Sequence, residues 1–308
     1  MIKRRTGKVR SLVLTTIKQT EEKNMTKRLV VLDFDGTITD AEEEGKPFVA
    51  SYSNDLCLLV GKTPEDVMPV LRSVEAKIAA DPGNNGWLYN KLIVAPATVD
   101  PYLRMRAIAL RVFDHFKMFM NPSDRDSLLN FLYKRNYPLS GVAFKKDSLQ
   151  MLRELCAHKD IIVYVVTNSD TAGVCKKITT LSAGNDELMR ICDQVIGDAK
   201  KYLVDGRPDH VAESITLPGL ERPVYLRRSA YFKALEYLRE LNGVNWDAVT
   251  VIGDIFELDL ALPFALGARV GLVINKFTPK YERDFITANS PQASCINLLN
   301  EVLPFVLQ

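Results

Sequence analysis

The sequence predicts an α/β fold organised on a parallel sheet, and two observations carry that prediction. Apolar runs at 29–32, 161–166 and 248–252, the last interrupted only by Thr250, lack the polar alternation of a half-exposed strand, so they read as strands buried on both faces. Each run stops at a cluster of carboxylate, hydroxyl or amide groups, and the stretches between carry apolar residues at helical spacing. Strands alternating with helices make a sheet covered on both sides, a three-layer α/β/α core of Rossmann-like type. In such a sheet ligands bind beyond the carboxyl ends of the strands, where these polar clusters fall.

The first strand is the most informative. Leu29-Val30-Val31-Leu32 runs directly into Asp33-Phe34-Asp35-Gly36-Thr37-Ile38-Thr39-Asp40. Residues i and i+2 of an extended segment share a face, so Asp33 and Asp35 can point into one space. Gly36 frees the turn to take a conformation other residues avoid, which leaves backbone N–H groups available for an anion. Two crowded carboxylates buried without compensation would cost several kcal/mol. A hard divalent cation such as Mg²⁺ is the natural partner, since it takes oxygen ligands and binds through one or two carboxylates plus substrate phosphate. A polar turn that merely ends a strand would need no cation; the apolar lead-in and the trailing Thr-x-Thr-Asp argue for the site.

Composition narrows the class. With 308 residues, 47% of them hydrophobic and 25% charged, the chain has the make-up of a soluble globular protein of one large or two ordinary domains. A formal charge of only +2 argues against a nucleic-acid or membrane surface. The five cysteines, Cys57, Cys156, Cys175, Cys192 and Cys295, are scattered and form no Cys-x-x-Cys, the pattern of reduced thiols in a cytoplasmic protein. None of the three histidines lies near a nucleophile motif, which disfavours a Ser-His-Asp hydrolase. Residues 1–27 are expected to form a basic, disordered extension. Their apolar part is too short for a secretion signal, and Met25 is an alternative start. No run reaches the length of a transmembrane helix.

Residues 42–140 read as a helical insert, a cap, between two parts of the core at 28–41 and 141–308. Within the insert, Thr63-Pro64-Glu65-Asp66 starts a helix with the stripe Val67, Val70, Leu71, Val74 and Ile78, which Pro69 should kink or delay. Residues 81–86 form a loop, Leu103 to Phe119 a second helix, and Ser123 caps a third. The core resumes with a helix at 147–157 and the strand 161–166, which ends in Thr167-Asn168-Ser169-Asp170, groups suited to phosphate oxygens. Residues 194–205 could be a strand, and 208–223 a loop or small hairpin. Leu226-Arg227-Arg228 then precedes a helix at 229–241. The strand 248–252 ends in Gly253-Asp254-Ile255-Phe256-Glu257-Leu258-Asp259. A strand at 269–274 and an apolar helix from about 295 to 306 complete the chain.

Three strands far apart in sequence thus end in polar clusters that a parallel sheet would gather. This joint pattern resembles the haloacid dehalogenase superfamily over about residues 28–275. Its first motif matches Asp33-Phe34-Asp35-Gly36-Thr37, its second Thr167, and its fourth Gly253-Asp254 through Asp259. The resemblance implies an aspartyl-phosphate chemistry in which Asp33 is the nucleophile and Asp35 the acid and base. Mg²⁺ would be held by Asp33, Asp254 and the backbone carbonyl of Asp35, assisted by Asp259. Thr167 would bind a phosphoryl oxygen, with Asn168 assisting. For the third motif, a Lys or Arg near a helix start, the order of preference is Arg228, then Arg227, with Lys200 and Lys201 in reserve. Dehalogenases of this family lack the second acid, so Asp35 favours phosphatase action on a small phosphorylated metabolite. A phosphotransferase or phosphomutase would share the same core, phosphonate hydrolysis would need a cap lysine such as Lys46 or Lys62, and a catalytically silent binding or regulatory module is the alternative of another class.

Overall fold

The computed structural model describes residues 27–183 and 186–308, so the expected N-terminal extension lies, but for Lys27, outside the described residues. In chain order the first half comprises β1 (Arg28–Leu32), α1 (Ala41–Val60), α2 (Pro64–Ala80), β2 (Gly86–Tyr89), β3 (Leu92–Pro96), α3 (Pro101–Phe116) and α4 (Pro122–Asn136). Next come α5 (Ser148–Ala157), β4 (Ile161–Val166), α6 (Thr171–Ser182), α7 (Asp186–Met189), β5 (Val195–Ile196), β6 (Ser214–Ile215) and β7 (Val224–Tyr225). The chain closes with α8 (Ser229–Leu241), β8 (Val249–Gly253), α9 (Ala261–Ala265), β9 (Arg269–Val273), α10 (Lys280–Ala288), β10 (Ala293–Ile296) and α11 (Val302–Leu307).

Six strands form one sheet in the order β10-β9-β8-β1-β4-β5, with every neighbouring pair parallel. The alternation of side chains along β1 builds the three layers. Leu29 and Val31 pack on one face with Leu235 and Leu238 of α8 and Ile286 of α10. Val30 and Leu32 pack on the other with Met151 and Leu155 of α5, Ile178 of α6, and Val302 and Phe305 of α11. Because β1 is central, Asp33 at its tip has β4 and β8 on either side, and their tips carry Thr167 and Asp254. Among the described residues no helix is long and apolar enough to cross a membrane.

The helices α1 to α4 of the insert enclose their own core of Phe48, Leu56, Leu71, Val112, Leu129 and Leu132. The expected helical stretches are present, with three corrections. Pro69 lies inside α2 without ending it. The cap of α4 is Asn121, followed by Pro122 at the first helical position, rather than Ser123. The insert also contains the antiparallel hairpin β2–β3, turned by Asn90 and Lys91 with φ of 48° and 66°, as a two-residue type I′ turn requires. In the core, the stretch 194–205 is a strand only at Val195–Ile196. The C-terminal helix begins at Val302, since 293–296 is instead an edge strand on β9. A short apolar run does not by itself separate these two conformations.

The hairpin seats the insert on the core. Ala95 and Val99 pack with Ile255 and Leu258, and the Trp87 ring lies 4.7 Å from that of Tyr202. Thr98 Oγ1 donates to the Phe277 carbonyl at 3.3 Å. Two core arginines reach across: Arg222 pairs with Glu257 at 2.7 Å and donates to the Gly83 carbonyl at 2.6 Å. Arg228, 1% exposed, donates to the carbonyls of Tyr225 at 3.0 Å, Lys201 at 2.6 Å and Val94 at 2.9 Å.

Replacing Arg228 by Met strands those three acceptors, and a buried unmet acceptor costs about 1–3 kcal/mol. Chemical denaturation of Arg228→Met should therefore show a stability loss of about 3 kcal/mol or more. A loss below about 1 kcal/mol would mean that water or relaxation replaces the guanidinium.

Candidate active site

Asp33 leaves β1 with its N–H bonded to the Ile252 carbonyl at 2.8 Å, so the register of β1 on β8 fixes where its carboxylate stands. The chain then turns through Gly36, whose φ is +81°. A Cβ at that position would lie 2.2 Å from Asp254 Oδ2, so glycine is required by the close approach as well as by the backbone. The Thr37 hydroxyl donates to Asp33 Oδ2 at 3.0 Å and lies 3.5 Å from Asp254 Oδ1. After β8, a π-helical turn (Phe256–Leu260) brings Asp259 back against Gly253, where Asp259 Oδ2 accepts the Ile255 N–H at 3.2 Å. Buried Glu282 accepts the N–H groups of Phe256 and Glu257 at 3.4 and 3.3 Å, and Tyr231 donates its hydroxyl to the Asp259 carbonyl at 2.7 Å.

Asp33, Asp254 and Asp259 each offer a carboxylate oxygen within 4.8 Å of the others, and all three are buried. The cation among them is Lys201, not Arg228. Lys201 Nζ lies 2.7 Å from Asp33 Oδ1 and 2.8 Å from Asp259 Oδ1. Arg228 spends its guanidinium on three main-chain carbonyls, one of them that of Lys201, and so supports the cation from behind. Arg227 donates to the carbonyls of Val211 and Asp209. The segment that delivers Lys201 is locked to the end of β4. Asp198 and Ala199 donate their N–H groups to the carbonyls of Ser169 and Thr167, and Lys201 donates its own to Asn168 Oδ1 at 2.8 Å. Asp198 and Lys200 take positive φ of 51° and 49° to make this turn, which is why 194–205 does not continue as a strand.

Thr167 is buried beside the carboxylates, and its Oγ1 accepts the Ser169 N–H at 3.1 Å. Asp35 faces a separate set of partners, Ser169 at 2.6 Å and Lys177 at 2.9 Å. Ser169 and Lys177 had no motif to announce them. Lys177 follows Asp170, the N-cap of α6, by two turns, and only the fold reveals which face it shows.

Burial pushes the Asp33 carboxyl up to about 7; Lys201 opposes the rise, while Asp259 and Asp35 add to it. Burial likewise raises Asp254, with the charges of Asp33 and Asp259 acting in the same direction. Burial works against the charge of Lys201, but Asp259 and Asp33 outweigh it and hold its pKa above the usual range. Lys201 thus meets two of the three acids and leaves Asp254 facing Asp33 without an ion pair among the described residues, its charge opposed only by that of Lys145. An all-oxygen donor set with surplus negative charge, on a turn that only glycine allows to come so close, fits a hard cation of the Mg²⁺ type.

A carboxyl whose folded pKa is raised contributes stability below its unfolded pKa and loses it as the pH rises through its folded pKa, and both Asp33 and Asp254 are raised in this way. In EDTA, the melting temperature of the native protein should therefore fall relative to that of Asp254→Asn across this interval. Mg²⁺ should reverse the difference, because it binds only the folded native site. A difference independent of pH and of Mg²⁺ would remove Asp254 from the charge balance.

No family model matches the sequence, and no curated protein is similar enough to match. Solved structures do resemble it. The putative HAD-hydrolase YfnB of Bacillus subtilis, solved bound to magnesium, superposes with a TM-score of 0.52 at 13% identity, over 91% of this chain and 99% of that one. A predicted phosphoglycolate phosphatase from Haemophilus somnus gives 0.50 at 15% identity, over 92% and 100%. A haloacid dehalogenase-like hydrolase from Streptococcus pneumoniae gives 0.50 at 13% identity, over 92% and 99%. The chain has the fold of the haloacid dehalogenase-like hydrolases.

Proposed function

We propose that this chain is a Mg²⁺-dependent phosphoric monoester hydrolase that acts on a small phosphorylated metabolite through an aspartyl-phosphate. The observation that carries the reading is the pairing of two carboxylates with different surroundings. Asp33 is buried against Lys201 and Thr37, whereas Asp35 stands at the rim between Ser169 and Lys177. Two acids in such different surroundings support a division of roles, one to form a bond and the other to move a proton, which is what covalent phosphoryl transfer needs.

In this mechanism the free oxygen electrons of Asp33 attack phosphorus while the bond to the leaving oxygen breaks. Asp35 gives its proton to that oxygen and then takes one from the water that hydrolyses the acyl phosphate, returning Asp33. Lys201 fixes the Asp33 carboxylate and offsets charge beside it, and the Thr167 hydroxyl donates to a phosphoryl oxygen. Asp33 and Asp254, with Asp259 in support, would hold Mg²⁺, which when bound would neutralise charge on the phosphate and the acids. Transfer to a second substrate hydroxyl in place of water would make the same core a phosphotransferase. Hydrolysis is the simpler outcome because it needs no second binding site. The modest net charge and the cysteine pattern support a cytoplasmic enzyme of small molecules.

A panel of phosphorylated metabolites with Mg²⁺ tests the reading. Turnover should vanish in EDTA and fall by at least about 10³-fold in Asp33→Asn, which loses the nucleophile. Lys201→Met should fold less stably by about 3–5 kcal/mol, since it leaves buried acids unpaired. A fully active Asp33→Asn, or binding of phosphate esters without turnover in the native protein, would reject it in favour of a binding module.

A further inference from the structure

Asp35 has both carboxylate oxygens engaged by side chains from beyond its own loop. Ser169 donates to Oδ2 at 2.6 Å, and Lys177 donates to Oδ1 at 2.9 Å. The same ammonium lies 3.0 Å from Oε1 of Glu44, in the first turn of α1. Glu44 is only 1% exposed, and it sits where the two chain crossings between core and insert meet. Its N–H donates to the Asp40 carbonyl at 2.9 Å, its carbonyl accepts the Gly141 N–H at 2.9 Å, and its Oε1 accepts the Ala143 N–H at 3.4 Å. Lys177 therefore joins three parts of the molecule at one atom: the loop after β1, helix α6, and the paired crossings at 40–44 and 141–143.

An exposed ion pair would contribute little, since holding a long side chain in one geometry offsets the attraction. This lysine is different in two respects. Its side chain is 22% exposed and one of its partners is buried, and it serves two carboxylates from separate elements. Without it those two acids would face each other with no cation between. An ammonium at this position sets the direction of the Asp35 carboxylate as the Ser169 hydroxyl alone cannot, because a carboxylate held by one oxygen can still swing about its last bond.

We propose that Lys177 is a positioning residue of the reaction, holding Asp35 in the orientation from which it exchanges protons and, through Glu44, making that orientation depend on the insert being seated. The positioning role rests on the phosphatase reading above; the tie to the crossings does not.

The test uses the full chain with Lys177→Met, Lys177→Arg and Glu44→Gln. The probes are glycerol 2-phosphate, whose alkoxide must be protonated to leave, and p-nitrophenyl phosphate, whose phenolate leaves without a proton. Lys177→Met should lower kcat/KM, which reports the steps up to departure of the leaving group, by about 10–100-fold for glycerol 2-phosphate and by less than about fivefold for p-nitrophenyl phosphate, whereas kcat should fall on both because they share the hydrolysis of the aspartyl-phosphate. Lys177→Arg should restore most of the lost rate. Amide hydrogen exchange at 40–46 and 141–144 should quicken by at least about tenfold in Lys177→Met and Glu44→Gln, as expected where a local tie is cut. Equal losses of kcat/KM on both esters, a rise in KM at unchanged kcat, or no loss would overturn the positioning role. Unchanged exchange would overturn the tie to the crossings. If the native protein turns over neither these esters nor any member of the metabolite panel, the phosphatase reading fails and the positioning role with it, while the exchange measurement still decides the tie.

Discussion

The ammonium of Lys201 balances a pocket that would otherwise push itself apart. Two like charges 4 Å apart near a protein surface repel by about 4 kcal/mol, and here three carboxylates converge in a buried space. Lys201 takes an oxygen from each of two of them and thereby orients both. Its placement in turn dictates the course of the chain around it. The turn before it runs through two left-handed residues, its N–H is taken by Asn168, and its carbonyl is taken by Arg228. The sheet gathers the acids, but this one side chain makes their gathering tolerable. Because it leaves Asp254 outside its ion pairs, the same balance also makes room for a metal.

A second constraint runs outward from the pocket. The π-helical turn that returns Asp259 is held from beneath by Glu282, and its Glu257 is gripped by Arg222 and by the Tyr281 hydroxyl at 2.7 Å. Arg222 also holds the Gly83 carbonyl in the insert. Arg228 behaves in parallel, with one arm on Lys201 and another on Val94 of the hairpin. Both arginines thus connect the backing of the acid cluster to the part of the insert that lies over it. Arg104 adds a tie of its own, pairing with Glu42 at 2.8 Å while its guanidinium stacks over the Phe277 ring at 4.2 Å.

What could be read in advance follows from the range of the forces involved. The strands read at 29–32, 161–166 and 248–252 were legible because burial on both faces leaves a nearly unbroken apolar run, Asp33, Thr167 and Asp254 because each closely follows such a run, and Asp259 through the family resemblance. Lys201 was legible only as a reserve behind Arg228 and Arg227, since it reaches the site by a turn of two residues with positive φ, and Asp198-Ala199-Lys200 carries no glycine to mark it. Arg228 drew attention as a cation before a helix, yet its hydrogen bonds to carbonyls depend on contacts 27 and 134 residues away in sequence. The hairpin was hidden for a related reason: Asn90-Lys91 is a weaker turn signal than Asn-Gly, and Trp87, Tyr89, Ile93 and Val94 take their order from the surface they cover. Ser169 and Lys177 belong to helix-start and helix-face positions whose direction only the packed structure sets.

The anchoring of the hairpin alters how the insert can move. An insert joined to its core by two peptide crossings can swing like a door about that pair. Here Val94 is bonded to Arg228 and Thr98 to Phe277, and Ala95 is packed against Leu258, so the stretch Gly86–Pro96 stays with the core. The helices α1 to α4 are then moored at both ends of the hairpin as well as at the two crossings. Moorings at several points, Arg222 on the Gly83 carbonyl among them, permit sliding of packed surfaces more readily than rotation about an axis.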